Sequence, residues 1–124
     1  MTKIADISIR RNGLKKVTFF ELGIYRVLKQ ELGFRFVKYK GKGYYLRYNN
    51  GALNHVAFHS LRDAFIEYLE KHFTRLPISK EIEFEAFINE FYCQIPIKRN
   101  PGWQGFLNED FVIDDVKLSQ VLNK

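Results

Sequence analysis

Apolar positions change their spacing several times along the chain, and each change marks an element. Ile4, Ile7 and Ile9 describe a short first strand, ended by Arg10-Arg11-Asn12-Gly13. Phe20, Ile24, Val27 and Leu28 then recur at helical spacing. Thr18-Phe-Phe-Glu21 has the form of a capping box, in which hydroxyl and carboxylate satisfy the free N–H groups of a helix start. Gly33 suits the helix stop.

Two strand-like runs follow, Phe34–Lys40 and Tyr44–Tyr48, joined by Gly41-Lys42-Gly43. A second turn at Asn49-Asn50-Gly51 leads to a third strand around Leu53–Phe58. Asn-Gly supplies the positive φ angles of a tight hairpin, so a three-stranded antiparallel meander is expected. Ser60-Leu-Arg-Asp63 repeats the capping-box pattern and opens a helix with Leu61, Ala64, Phe65, Tyr68 and Leu69 on one face, closed by Leu76-Pro77. Ser79 is expected to cap a third helix buried through Phe84, Phe87, Ile88 and Phe91. Asn100-Pro101-Gly102 reads as a turn, Phe111–Ile113 as a short strand, and Asp114 as the cap of a C-terminal helix carrying Val116, Val121 and Leu122. The expected class is α+β: the meander plus the N-terminal strand as a small antiparallel sheet, packed in two layers against three to four helices. No repeat or long linker divides residues 1–124, so one domain is expected.

Composition supports a packed core. Of 124 residues 46% are hydrophobic, with twelve Phe and seven Tyr, which is enough apolar area to offset chain entropy. The lone Cys93, set among Phe91, Tyr92 and Ile95, reads as a small buried hydrophobe, and a disulfide framework is ruled out. Met1-Thr2-Lys3 leads into alternating residues rather than an apolar signal core, and no run approaches the length of a membrane span. A cytoplasmic setting without membrane contact is the expectation.

Charge changes the picture more. Residues 1–50 hold twelve Lys/Arg against three acids, a net of +9, whereas residues 51–124 hold eight against eleven, a net of −3. A basic half of this kind points to a polyanion, most often nucleic acid.

Catalytic and metal chemistry find little support. Gly41-Lys42-Gly43 lacks the spacing and the following Ser/Thr of a phosphate loop and fits a plain turn. His55, His59 and Asp63 have ligand spacing only on a helix, and they straddle a strand end and a helix cap. Glu81, Glu83 and Glu85 read as a solvated helix face, and no Ser/His/Asp or Cys/His set is accompanied by its local motifs. A non-enzymatic protein is expected, with no metal, no cofactor and no small-molecule substrate.

The hairpin carries the candidate surface. With Gly41–Gly43 as a three-residue loop, Lys40 faces Tyr44. Phe34, Phe36, Tyr44, Leu46 and Tyr48 then share one face, and Arg35, Val37, Tyr39, Tyr45 and Arg47 share the other. An open Arg/Tyr face suits single-stranded nucleic acid, with rings on bases and cations on phosphates. A change of register by one residue would exchange the faces, and the terminal segments can equally cover this one. Independently of register, Arg10, Arg11, Lys15 and Lys16 precede the first helix, while Lys38, Lys40 and Lys42 surround the hairpin tip.

Phe19-Phe20-Glu21, Leu28, Glu31-Leu32-Gly33-Phe34, Tyr39, Gly43-Tyr44-Tyr45-Leu46-Arg47-Tyr48 and Leu61-Arg62-Asp63-Ala64-Phe65-Ile66-Glu67-Tyr68-Leu69 together resemble a known segment. It is the accessory segment of primase–helicase-type replication proteins of Bacteroidetes phages and mobile elements, where a D-x-x-x-x-Y helix follows aromatic strands. The resemblance spans roughly residues 17–73, about half the chain, and Pro77–Lys124 lies outside it. It implies a phage or mobile-element origin and a setting near DNA replication. Motor activity is not implied, because no Walker motif is present. The expected function is therefore nucleic-acid binding, DNA ahead of RNA and single strands included, through Arg10, Arg11, Lys15, Lys16, Arg35, Lys38, Tyr39, Lys40, Lys42, Tyr45 and Arg47. The alternatives are a protein-interaction module acting on a host or replication protein, through the basic face or through Glu109, Asp110, Asp114 and Asp115, and a virion component.

Overall fold

The computed structural model describes residues 3–94 and 102–123. Strands β1 (Ala5–Ile9) and β2 (Lys15–Phe19) form a two-stranded antiparallel ribbon. Helix α1 (Glu21–Arg26) continues into a π-helical turn, Val27–Glu31, and leads to the meander β3 (Phe34–Tyr39), β4 (Lys42–Asn49) and β5 (Ala52–Val56). Helix α2 (Phe58–His72) and two short 3-10 turns precede α3 (Phe84–Gln94), and α4 (Gly102–Asn108) and α5 (Asp115–Leu122) follow. The class is α+β, but the N-terminal strand does not join the meander. It pairs with β2, a strand that the helical spacing from Phe20 conceals.

The main core is aromatic. Phe19 of β2 meets Phe87 and Phe91 of α3 at 5.1 and 5.6 Å, Phe91 meets Phe65 of α2 at 5.2 Å, and Phe87 meets Phe73 at 5.3 Å. These tilted and edge-on arrangements are the favoured geometries for ring quadrupoles. Trp103 of α4 and Phe34, Phe36 and Tyr45 of the meander extend the same cluster. A second cluster lies across the meander, where Val37, Leu46 and Leu53 pack on Leu118 and Val121 of α5. Helices therefore cover both faces of the three-stranded sheet.

Register explains this placement. Tyr39 pairs with Lys42, so the β3–β4 turn is the two residues Lys40-Gly41, at φ 51° and 80°. Both residues are left-handed, as a twist-matched two-residue hairpin requires. Relative to a Gly41–Gly43 loop, the pairing is displaced by three residues. An odd displacement moves every β4 side chain to the opposite face of β3. Phe34, Phe36 and Tyr45 thus share one face, and Val37, Tyr44 and Leu46 the other. The β4–β5 turn at Asn50-Gly51 forms as the sequence indicates, with φ 53° and 80°.

Helix starts differ from the capping-box reading. Thr18 is paired with Asp6 in the ribbon, so α1 begins after Phe20 without a side-chain cap, and the Glu21 carboxylate accepts from the Tyr25 hydroxyl. Helix α2 begins two residues before Ser60, also without a side-chain cap. Ser79 lies in a 3-10 turn, donating to the Leu76 carbonyl at 2.7 Å, and α3 starts only at Phe84. Phe111–Ile113 forms no strand; Phe111 and Ile113 pack on the second cluster. Asp114 does cap α5, accepting from the Lys117 N–H at 2.8 Å. Cys93 is exposed rather than buried, on the opposite side of α3 from Phe87 and Phe91. The turn expected at Asn100-Pro101 lies outside the described residues. Among the described residues no helix is long and apolar enough to cross a membrane.

The ribbon is fixed to the body by backbone contact. Phe20 donates its N–H to the Ile4 carbonyl, and Gly23 of α1 lies directly under the Lys3 carbonyl, where a Cβ would overlap it. Gly23→Ala is expected to destabilise the fold by about 1–3 kcal/mol, because the obstacle is backbone and not a flexible side chain. Urea unfolding monitored by circular dichroism measures the loss.

Candidate nucleic-acid interface

The eleven residues nominated from sequence divide into those held inside the fold and those presented to solvent. Tyr45 is 8% exposed and rests between Phe36 and Phe58, at 5.1 and 5.6 Å. Its hydroxyl accepts from Gln104 Nε2 at 2.9 Å, and burial pushes its pKa up, an effect Gln104 partly offsets. A ring so enclosed cannot stack on a base, which corrects its assignment. Tyr39 is half-buried on the α5 side, with the Lys40 ammonium 5.2 Å from its ring centre. The open Arg/Tyr face therefore does not form. Register moves Tyr45 and Arg47 to the main core, and α5 covers the face that keeps Arg35 and Tyr39.

The two arginines hold the helix end. A helix leaves its last carbonyls without partners. Arg35 Nη1 donates to the Lys29 and Phe34 carbonyls, both at 2.8 Å, and its guanidinium lies 5.2 Å from the Tyr48 ring. Arg47 Nε donates to the Leu32 carbonyl at 2.9 Å and lies 4.8 Å from the Phe34 ring. Lys29, which sequence reading passed over, likewise donates to the Phe106 and Glu109 carbonyls at the end of α4. Lys15 is tied to Glu81 at 3.1 Å, and Lys3 to Asp6 at 3.2 Å. The Ile7 backbone N–H, and then Lys3, hold the Asp6 carboxyl below its ordinary pKa.

Six cations remain presented at two turns. Arg10, Arg11 and Lys16 are exposed at the end of the β1–β2 ribbon, and Lys38, Lys40 and Lys42 are exposed at the β3–β4 tip. None of the six has an ion-pair partner among the described residues. The ribbon turn is built for projection: Arg10 N–H bonds to the Leu14 carbonyl and Gly13 N–H to the Arg10 carbonyl, with Gly13 at φ 81°. This is a three-residue loop closed by a left-handed glycine, a common hairpin form. Asn12 Oδ1 accepts from Leu14 N–H and stiffens it. A groove of about 520 Å³ runs beside the ribbon against α3, lined by Arg10, Leu14, Lys16, Ile82, Asn89 and Glu90.

One polar site escaped sequence reading because its members come from distant elements. Glu31, Arg47, Tyr68, Lys71 and His72 line a cavity of about 370 Å³ between the π turn and α2. Burial, and then a hydrogen bond to Glu31, push the Tyr68 hydroxyl above its ordinary pKa. Among the described residues no cluster of three or more His, Cys, Asp or Glu occurs, and His55, His59 and Asp63 are not brought together as one.

The two classes of cation separate experimentally. Arg35→Ala and Arg47→Ala each leave backbone carbonyls without partners and are expected to cost about 1–3 kcal/mol of stability. Lys40→Ala and Lys42→Ala are expected to stay within about 0.5 kcal/mol of the parent, as exposed side chains do. Thermal or urea unfolding of the four variants provides the comparison.

Compared with protein-family models, with curated proteins and with solved structures, the chain finds no match.

Proposed function

We propose that this is a non-enzymatic nucleic-acid-binding protein of phage or mobile-element type, meeting phosphates through its two basic turns. The observation that carries the reading is the sorting of cations. Lys29, Arg35 and Arg47 are bonded to backbone carbonyls and Lys3 and Lys15 stand in exposed ion pairs, while Arg10, Arg11, Lys16, Lys38, Lys40 and Lys42 project without acidic partners among the described residues. Unpaired cations on protruding turns attract a polyanion and release its counterions on contact. The resemblance of residues 17–73 to a replication-protein segment supports DNA over RNA and a setting near replication.

Binding is expected to fall steeply with salt, by about 0.9 in log K per log salt for each phosphate contact. Arg10, Arg11 and Lys16 changed together to Ala should lower that slope by about 2.7. Reversing Lys38, Lys40 and Lys42 to Glu should abolish binding at low salt. Fluorescence anisotropy with labelled DNA, titrated at several salt concentrations, is the measurement. An unmutated protein with no salt-sensitive binding to single- or double-stranded DNA or RNA would sink this reading.

A second reading, a protein-interaction module, has its own observation. Val112 and Val116 are 92% and 71% exposed beside Glu109, Asp110, Asp114 and Asp115. Apolar side chains in an acidic surround suit a basic protein partner. A stoichiometric partner captured after nuclease treatment, and lost on Val112→Ser with Val116→Ser, is the expected result under this reading.

A further inference from the structure

The β1–β2 ribbon carries two solvent-facing aliphatic residues among its clustered cations. Ile9 is 67% and Leu14 61% exposed, at the level of the turn that holds Arg10 and Arg11. Pairing in the ribbon settles which way each points. Ala5, Ile7 and Ile9 share a face with Lys15, Val17 and Phe19, and that face packs on the core until it runs past its rim at Ile9. Leu14 lies on the opposite face, with Asp6, Ser8, Arg10, Lys16 and Thr18, all of them exposed.

The two faces differ in charge as well. Lys15, on the inner face, is drawn to Glu81, whereas Arg10 and Lys16, on the outer face, have no ion-pair partner among the described residues and line, with Leu14, one side of the groove whose other wall carries Glu90. A polyanion meets the unpaired cations of the outer face. On that face Leu14 stands directly across the ribbon from Arg10 and two positions before Lys16. Opposed side chains on neighbouring strands sit about 4.5–5.5 Å apart. The arrangement is one aliphatic side chain bracketed by two cations, at the end of a projecting two-stranded ribbon.

We infer that the ribbon binds duplex DNA in the minor groove, Leu14 entering between base pairs as a wedge while Arg10 and Lys16 meet phosphates on either side. This deepens the nucleic-acid reading and rests on it. Single-strand recognition uses open rings as stacking platforms, and the ribbon presents none: its one aromatic residue, Phe19, is buried in the core. An aliphatic wedge beside cations is instead a means of unstacking a base step and bending the duplex. The left-handed Gly13 next to Leu14 lets the chain turn without a side chain that would obstruct approach.

The test uses the whole protein with a DNA duplex of about 25 bp carrying a donor and an acceptor dye at its ends, beside the matching single strand. The parent is expected to prefer the duplex by about tenfold or more. It is also expected to bend the duplex by about 20–90°. Leu14→Ser should abolish the bend while leaving the salt slope of binding unchanged, because no charge is lost. Ile9→Ser, on the inner face, should bend DNA as the parent does; both positions are on the surface, so neither variant disturbs the core. Preference for the single strand, binding without a bend, a bend that survives Leu14→Ser, or a bend lost equally in Ile9→Ser overturns the wedge and leaves nucleic-acid binding standing. No salt-sensitive binding to either DNA overturns both.

Discussion

A three-stranded sheet covered on both faces offers solvent only its ends and edges. In this protein Phe34, Phe36 and Tyr45 fill one side of the meander and Val37, Leu46 and Leu53 the other. Charges on β3 and β4 must then either reach the sheet's tip or find partners inside. Lys38, Lys40 and Lys42 take the first course. Arg35 and Arg47 take the second, with their guanidinium groups over Tyr48 and Phe34 and bonded to carbonyls at the end of the π turn. The same burial sets the chain path, since α5 has to return across β5 to close the second face.

Edges are handled with side-chain amides. In β2 the N–H of Phe19 and the carbonyl of Val17 point away from β1, and Gln94 meets both: its Oε1 accepts from Phe19 and its Nε2 donates to Val17 at 2.6 Å. Asn108 of α4 does the corresponding service for the outward carbonyl of Phe36 on β3 at 2.8 Å. Each amide stands where a further strand would pair, so these edges are closed without additional sheet. Helix ends dock onto strands by this means, and that couples α3 to the ribbon and α4 to the meander.

Strong periodicity made much of the fold legible. The stripes Leu61, Phe65 and Leu69, and Phe87 and Phe91, are buried as their spacing indicates, and Asn50-Gly51 and Asp114 act as their chemistry requires. What stayed hidden had competing signals. Lys15–Phe19 is a strand because Ile4–Ile9 is at hand to pair with it, a tertiary fact that overrides the capping-box pattern at Thr18. Gly41-Lys42-Gly43 contains two glycines, and only one of them, Gly41, is at a turn position; Gly43 lies in β4 under the Phe36 ring, where a Cβ would sit 2.6 Å from it. That single ambiguity moved Tyr45 and Arg47 onto the wrong face. The clustering of cations at Arg10–Lys16 and Lys38–Lys42 was readable from sequence alone. Which of them the fold uses for itself was not, because Glu81 and Leu32 lie 66 and 15 residues from their partners Lys15 and Arg47.

The two tight turns of the meander share a geometry and differ in one residue type. At Asn50 the left-handed backbone is nearly free of strain, because a short amide side chain tolerates it. At Lys40, with φ 51°, the same conformation carries a long side chain, at a cost of about 1–3 kcal/mol. Glycine would fold there more comfortably. The chain instead keeps an ammonium at the turn of its sheet, and so carries a backbone strain there that glycine would relieve.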